Sequence, residues 1–199
     1  MPTRPTGLCP QTRRNGFRVY LSPPRSSDAP AFLAAVAASG RLHRRWVQPP
    51  TTTARFATYL TRFAGRKSRD PALATHAGFV VRRVGDNAPV GVFNVSEIVR
   101  GSFQSAYLGY YAFAPHAGGG YMREGLALVL EVAFRSLKLH RVEANIQPSN
   151  ARSIALVRQA GFTREGFSRG YVKIAGRWRD HERWAMLAED WRAQRRKSR

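Results

Sequence analysis

The sequence predicts a mixed α/β domain, with helices flanking a central sheet and one parallel crossover. Helical patterns come first, followed by a meander of strands and then strand–helix–strand–helix–strand–strand. Three glycines, Gly118 to Gly120, join an apolar strand pattern at 107–113 to a helical pattern. Arg141 to Gln147 then alternates apolar and polar residues, which is typical of a half-buried strand. Two strands joined through a helix indicate a parallel pair within the sheet.

The composition limits the classes of protein. With 199 residues and 43% hydrophobic residues, the chain is long and apolar enough for one domain with a core, which excludes disorder as its main state. The formal net charge is +21, from 33 Lys and Arg against 12 Asp and Glu, and predicts attraction to polyanions such as RNA, DNA or cofactor phosphates. A single cysteine, Cys9, excludes a disulfide framework and a cysteine-based metal site.

We predict three parts: a flexible basic arm at 1–16, the domain at 17–191, and a frayed basic tail at 192–199. The sequence shows no apolar signal core after Met1 and no run of about 20 apolar residues, so a membrane segment is not expected. The expected compartment is the cytosol.

The first half of the domain predicts a strand, two helices and a hairpin. After a short strand at 17–21, Asp28 is expected to cap a helix that has Pro30 in its first turn. A threonine run after Pro50 caps a second helix, and a charged loop at 65–70 leads to the sheet. Two strands, Gly78 to Val84 and Val90 to Val95, are joined by a turn at 85–89.

The second half contains the longest helix and a final hairpin. The residues expected on the buried face of that helix share the i, i+3, i+4 spacing: Leu126, Val129, Leu130, Ala133, Phe134 and Leu137. Asn150 is placed to cap a further helix that ends at Gly161. Gly166 to Leu187 predicts two strands joined at 175–176, with Trp178 and Trp184 expected to pack in the sheet.

The glycine loop is a candidate anion site. Unpaired N–H groups of a first helical turn and the positive end of the helix dipole point at one spot, which glycine leaves open. An ordinary strand-to-helix turn is the alternative. Neither the Gly-x-Gly-x-x-Gly fingerprint nor a phosphate-binding loop with Lys-Ser/Thr is present here.

Several motifs together resemble the GNAT family of acetyl-coenzyme A-dependent N-acetyltransferases, and within it the RimJ-like branch. Ala117-Gly118-Gly119-Gly120-Tyr121-Met122 lies over the signature Gln/Arg-x-x-Gly-x-Gly/Ala, with Ala117 in place of Gln/Arg and Gly119 where the branch usually has Lys. Asn150-x-x-Ser153 followed by Gly161-Phe162 is similar to the coenzyme A arm of the family. The branch's hairpin matches 176–181, Gly-Arg-Trp-Arg-Asp-His, and its strand segments match 99–103 and 107–110.

The resemblance implies a GNAT-like, mostly antiparallel sheet with a strand–loop–helix cofactor site, and acetyl-CoA as cosubstrate without a metal. The residues it implies for cofactor binding are Ala112, Phe113, Ala117, Gly118, Gly119, Gly120, Tyr121, Met122, Asn150 and Ser153. It also implies that the acceptor is the N-terminal α-amine, typically of alanine, of a ribosomal protein. The strong basic charge would then be explained by contact with ribosomal RNA.

Acetyl transfer to an amine requires a neutral amine, a donor to the oxyanion, and a proton for the leaving thiolate. An α-amine has a pKa of about 8, so a modest base suffices, and Glu143 and Glu97 are the candidates, each with a surface ion pair as the alternative. The resemblance gives Ser153 the role of proton donor; the alternative is a serine that bonds its own helix start. We expect a bulge near 111–113 to free a backbone N–H for the oxyanion.

Two other functions stay open. The charge suits a nucleic-acid-binding module, although Lys and Arg are spread through the chain without a recognised binding motif. The second is a GNAT enzyme that acetylates another acceptor, such as a polyamine, an aminoglycoside or a different protein. Asp180-His181-Glu182 could suggest a metal, but one histidine beside acids on a strand is more often structural.

Overall fold

The computed structural model describes residues 11–63 and 74–197. Within these ranges the strands form one sheet in the order β1-β2-β3-β4-β5-β7-β6, and every neighbouring pair is antiparallel except β4 and β5. The mixed, mostly antiparallel fold predicted from the sequence is therefore confirmed. The strands are β1 Val19–Ser22, β2 Ala77–Arg83, β3 Pro89–Val99, β4 Ser105–Ala112, β5 Arg141–Ile146, β6 Thr163–Ile174 and β7 Arg177–Leu187.

Helices cover both faces of the sheet. They are α1 Ala29–Ala38, α2 Gly40–His43, α3 Thr53–Thr61, α4 Tyr121–Glu131, α5 Ala151–Gln159 and α6 Ala188–Lys197, with short 3₁₀ turns at Ser26–Asp28 and Ala114–His116. The larger core joins α4, α5 and α6 to one face of the sheet. A second, smaller core packs α1 and α3 against the other face, around Phe32, Phe56 and Phe113.

Helix α4 forms as the apolar spacing predicts. All six residues of the predicted buried face are at most 3% exposed, and the helix continues through one π-helical turn at Val132–Ser136. Gly125 lets this helix lie close on the sheet, because a Cβ there would stand 3.1 Å from the side chains of Phe93 and Val81. Helix α4 is thus held close against β2 and β3.

Strands β4 and β5 pair only at their beginnings. Ser105, Ala106 and Tyr107 align with Arg141, Val142 and Glu143, and no pairing follows between these two strands. β4 remains paired with β3 as far as Ala112, so β4 keeps its course while β5 diverges. The result is an opening in the sheet that begins at Tyr107 and Glu143 and widens toward the glycine loop.

Two local predictions need correction. Most of the predicted arm lies outside the described residues, but Thr12 pairs with Leu21, so the end of the arm lies on β1. The predicted tail is helical as far as Lys197, with Arg195 over the Trp191 ring and ion-paired to Glu131 at 3.2 Å. This helix has acidic residues in its first turn and basic residues in its last turn, which suits the helix dipole. A search for an apolar stripe could not detect this charge pattern.

Two side chains also differ from expectation. Asp28 precedes α1 as predicted, yet its carboxylate does not cap this helix; it accepts from the Arg25 N–H at 2.8 Å, at the start of the 3₁₀ turn, and pairs with Arg82 at 2.6 Å. Trp184 is buried, whereas Trp178 is 65% exposed at the β6–β7 hairpin. The charged loop at 65–70 lies outside the described residues. No helix in the described ranges is long and apolar enough to cross a membrane.

Candidate active site

The glycine loop and the start of α4 stand at the wide end of the opening between β4 and β5. Gly118 and Gly120 have φ of +87° and +80°, a conformation that side chains rarely adopt, and Gly120 is the N-cap of α4. No atom lies within 4 Å of a Cβ built on Gly118. The open backbone and the unpaired N–H groups of the first turn fit a pyrophosphate group.

Arg18, next to β1, braces this loop, and sequence reasoning missed it. Its Nη2 donates to the Gly119 carbonyl at 3.0 Å, and its Nε and backbone N–H donate to Glu124 at 2.7 Å each. The guanidinium lies 4.7 Å from the centre of the Tyr121 ring. An Arg18–Glu124 ion pair therefore lies beside the loop, in which Ala117 and Gly119 carry no charge. More than 100 residues separate Arg18 from the loop, so no local spacing could reveal the contact.

The end of β4 is fixed from the other face by α1 and α2. The buried Ser39 hydroxyl donates to the Ala35 carbonyl at 2.6 Å and accepts from the Ala114 N–H at 2.8 Å. His43 Nε2 lies 2.7 Å from the Ala112 carbonyl, and burial lowers the pKa of this histidine from its ordinary value of 6.5. The neutral ring thus donates to Ala112 and holds the strand end in place.

The strands free an N–H group by diverging. Phe113 N–H donates to the Val90 carbonyl at 2.9 Å, so the alternation of an antiparallel ladder turns the Ala112 N–H away from β3, toward the opening. The β3–β4 register is continuous from Gly91–Ala112 to Ser96–Tyr107, and its irregularity lies between Ser96 and Val99. The predicted bulge at 111–113 is therefore wrong. The Ala112 N–H is free instead because β5 separates from β4 before this position.

Two hydroxyl groups meet at the start of α5. Asn150 caps this helix as predicted, since its Oδ1 accepts from the Ser153 N–H at 3.3 Å. Ser153 Oγ lies 2.6 Å from Tyr110 Oη, and Ser153 is half-buried. Burial raises the pKa of the Tyr110 phenol well above its usual value, so this group is protonated. Tyr110 was missed because its apolar strand context predicts only packing.

Glu143 stands at the narrow end of the opening, at the last position of β5 that pairs with β4. Its carboxylate is half-buried and accepts from Arg141 Nε at 2.9 Å, while Arg141 also pairs with Glu165. Asn145, two residues further, is on the same face and has a buried Oδ1 without a hydrogen-bond partner in the described part of the chain. The structure thus places a carboxylate and an unsatisfied amide oxygen on one wall of the opening.

Glu97 is not brought to this site. It lies in the irregular end of β3 with φ of +49°, and its side chain is 68% exposed. The carboxylate pairs with His76 at 3.4 Å, and His76 precedes β2, on the side of β3 away from the opening. Of the two candidate bases, only Glu143 lies at the opening between β4 and β5.

A metal centre is not evident. Residues 11–63 and 74–197 contain no group of three or more His, Cys, Asp or Glu side chains arranged to hold a metal ion. His181, the histidine of the Asp-His-Glu sequence, is buried, and its Nδ1 lies 2.9 Å from the Arg179 carbonyl. Its role in these contacts is structural.

Comparison with known proteins agrees with this geometry. The chain is 40% identical over 112 residues to the probable N-acetyltransferase YjcK of Bacillus subtilis, and 41% identical over 102 residues to the [ribosomal protein uS5]-alanine N-acetyltransferase of Escherichia coli. These matches cover 56% and 51% of the chain, and 62% and 53% of the two relatives, so the chain spans between half and two thirds of their length.

Solved structures show the same fold. Mycobacterium smegmatis RimJ in complex with CoA-disulfide has a TM-score of 0.77 at 27% identity, covering 86% of this chain and 83% of that one. The spermidine/spermine N-acetyltransferase SpeG of Vibrio cholerae has a TM-score of 0.71 at 18% identity, covering 89% and 98%, which shows the fold alone. The family model "Acetyltransferase (GNAT) domain" matches residues 18–163. The resemblance inferred from the motifs is confirmed, and the chain belongs to the GNAT acetyltransferase family.

Proposed function

We propose that this protein transfers the acetyl group of acetyl-CoA directly to the N-terminal α-amine of a protein, with an alanine terminus of a ribosomal protein as the expected acceptor. The observation that carries the proposal is the opening between β4 and β5, bounded by the glycine loop, the Ser153–Tyr110 hydroxyl pair and Glu143. The E. coli and M. smegmatis relatives support both the cosubstrate and the acceptor.

The loop from Ala117 to Met122 would hold the pyrophosphate through backbone N–H groups at the α4 start. Arg18 holds the loop in place through the Gly119 carbonyl, and Glu124 offsets part of its positive charge. Ala112 and Asn150 would border the path from the loop to Ser153. Phe113, also expected at the cofactor, is instead buried in the smaller core, with its N–H bonded to Val90 and its carbonyl to His116. When bound here, acetyl-CoA supplies the acetyl thioester.

The residues of the opening divide the chemistry among them. Glu143, directly or through a water molecule, accepts the proton that the amine loses as its nitrogen bonds to the acetyl carbon. The Ala112 N–H donates to the carbonyl oxygen as negative charge builds on it. Ser153 gives its hydroxyl proton to the sulfur as the carbon–sulfur bond breaks. Tyr110, 2.6 Å away, donates a hydrogen bond to the serine oxygen, which then takes a proton back from water.

The charges beside the opening favour a peptide over a polyamine as the acceptor. Glu143, the carboxylate on the wall of the opening, is already paired with Arg141, which also binds Glu165. A polyamine needs unpaired carboxylates to bind its several cations. An α-amine is also neutral more often than a lysine amine near pH 7, since their pKa values are about 8 and about 10.4.

The test supplies three acceptors at equal concentration near pH 7: an alanine-initiated peptide, an N-blocked peptide with one internal lysine, and spermidine. Release of the free thiol gives the rate, and mass spectrometry locates the acetyl group. We expect the α-amine to react fastest. Faster transfer to lysine or spermidine would overturn the acceptor assignment, and transfer to none of them would favour a binding module without catalysis.

A further inference from the structure

A small cavity of about 170 Å³ opens between three segments that meet beyond the end of β5. These are the turn after α2, the loop between β5 and α5, and the β6–β7 hairpin. Pockets for small-molecule ligands usually have about 300–1,000 Å³, so this cavity suits one side chain better than a whole metabolite. The lining residues are Arg44, Arg45, Trp46, Gln147, Ser149, Ile174, Ala175 and Arg179.

The cavity lies beyond the end of the wall of the opening that carries Glu143 and Asn145. Gln147 follows Glu143 and Asn145 at the two-residue spacing that keeps side chains on one face of a strand. Its Nε2 donates to the Arg45 carbonyl at 3.2 Å, which ties the turn after α2 to the end of β5. At about 3.3 Å per residue, Gln147 lies roughly 7 Å beyond Asn145 and roughly 13 Å beyond Glu143.

The charge of the cavity is unbalanced. Three arginines line it, and none of the lining residues is acidic. Asp180, next to Arg179, already accepts from the Gly170 N–H at 2.7 Å, and Trp46 lies under the Arg45 guanidinium at 5.7 Å. Planar guanidinium groups bind carboxylates through paired hydrogen bonds, and they do so best where their orientation is fixed.

We propose that this cavity binds the carboxylate of an acidic side chain near the N-terminus of the acceptor protein. The inference rests on the proposed function and extends it to the acceptor's sequence. An extended peptide advances about 3.3–3.6 Å per residue, so an amine held between Glu143 and Asn145 places the third or fourth residue at the cavity. The apolar Ile174 and Ala175 would contact the methylene groups of a glutamate at that place.

The experiment uses alanine-initiated peptides of equal length with one glutamate, glutamine or lysine moved through positions two to five. We expect kcat/KM to be about tenfold higher for glutamate than for glutamine at position three or four, as a charge-assisted hydrogen bond predicts. Lysine at that position should be worse than glutamine. This series needs only the unaltered protein, so it does not depend on the folding of a variant.

Arg179→Gln, and separately Arg44→Gln with Arg45→Gln, should reduce the preference for glutamate to about twofold or less and leave the glutamine peptide nearly unaffected. Arg196→Gln, exposed on α6, removes the same charge elsewhere and should retain the preference. Unchanged melting temperatures show that each variant is folded.

Two results would overturn the inference while the proposed function stands: equal kcat/KM for glutamate and glutamine at every position, or a preference that survives all three substitutions in the cavity. If a short RNA competes with the peptides, if that competition depends on Arg179, and if no preference for glutamate is seen, the cavity binds phosphate. This result would also overturn the inference. Acetylation of none of the peptides would end the proposed function itself.

Discussion

The Ser153→Ala variant separates catalysis from structure at the hydroxyl pair. If Ser153 protonates the leaving sulfur, its loss should lower kcat by roughly a hundredfold or more, as for other general acids. A hundredfold loss corresponds to about 2.7 kcal/mol of barrier. Affinity for CoA should stay within about twofold, because a proton donor acts in the transition state and contributes little to binding.

The structural cost of the same change is smaller. Ser153→Ala removes one hydrogen bond of 2.6 Å, and Tyr110 keeps the Ser153 carbonyl as an acceptor at 3.2 Å. A neutral hydrogen bond of this kind contributes about 0.5–1.5 kcal/mol to the free energy of unfolding. The catalytic loss should therefore exceed the loss of stability by at least a factor of about two.

Three measurements test this reasoning: steady-state thiol release, calorimetric titration with CoA, and thermal melting. Ser153→Thr keeps a hydroxyl and should retain more turnover than Ser153→Ala. Tyr110→Phe removes only the partner hydroxyl and should give an intermediate kcat. If Ser153→Ala melts at a lower temperature yet keeps kcat within about threefold of the unaltered protein, Ser153 only caps and packs, and its catalytic role is refuted.

Three further predictions concern the surroundings of the opening. Arg18→Gln should weaken CoA binding about tenfold by calorimetry, and adding Glu124→Gln should not restore it; full restoration would show that Arg18 only neutralises Glu124. Burial lowers the pKa of His43 below 6.5, so the contribution of the neutral ring to stability is complete above pH 6.5 and is lost as the pH falls below that value. Between pH 6.5 and 5, the melting temperature of His43→Gln should therefore fall less than that of the unaltered protein. An equal fall in melting temperature would contradict this. Glu143→Gln should lower the rate with an α-amine most at low pH, where few acceptors are neutral, and a rate unchanged at every pH would leave water as the base.

Much of the fold was predictable because local patterns and tertiary packing agree. The apolar spacing in α4, the alternation in β5 and the Asn150 cap each describe one element, and each predicts a feature that the structure contains. The motif resemblance then identified the family, since several short patterns in one order are far more specific than any one of them.

The contacts that complete the site could not be predicted this way. Arg18, next to β1, contacts Gly119 in the glycine loop, and His43 of α2 contacts Ala112 at the end of β4. Tyr110 of β4 contacts Ser153 at the start of α5. Each joins residues that are distant in the chain, so no spacing rule connects them. The predicted bulge was wrong for a related reason: the free N–H arises because β4 and β5 diverge, and divergence is a property of two strands together.

The central claim is that the glycine loop at the start of α4 holds the phosphates of acetyl-CoA. Calorimetric titration of acetyl-CoA into the unaltered protein, Gly120→Glu and Gly101→Glu tests it most directly. Both glycines have positive φ, +80° and +65°, so the two substitutions impose a similar backbone strain, but Gly101 lies on another loop. We predict one-to-one binding to the unaltered protein and to folded Gly101→Glu, and none to folded Gly120→Glu. No binding to the unaltered protein at millimolar acetyl-CoA, or equal binding to all three, would contradict the account.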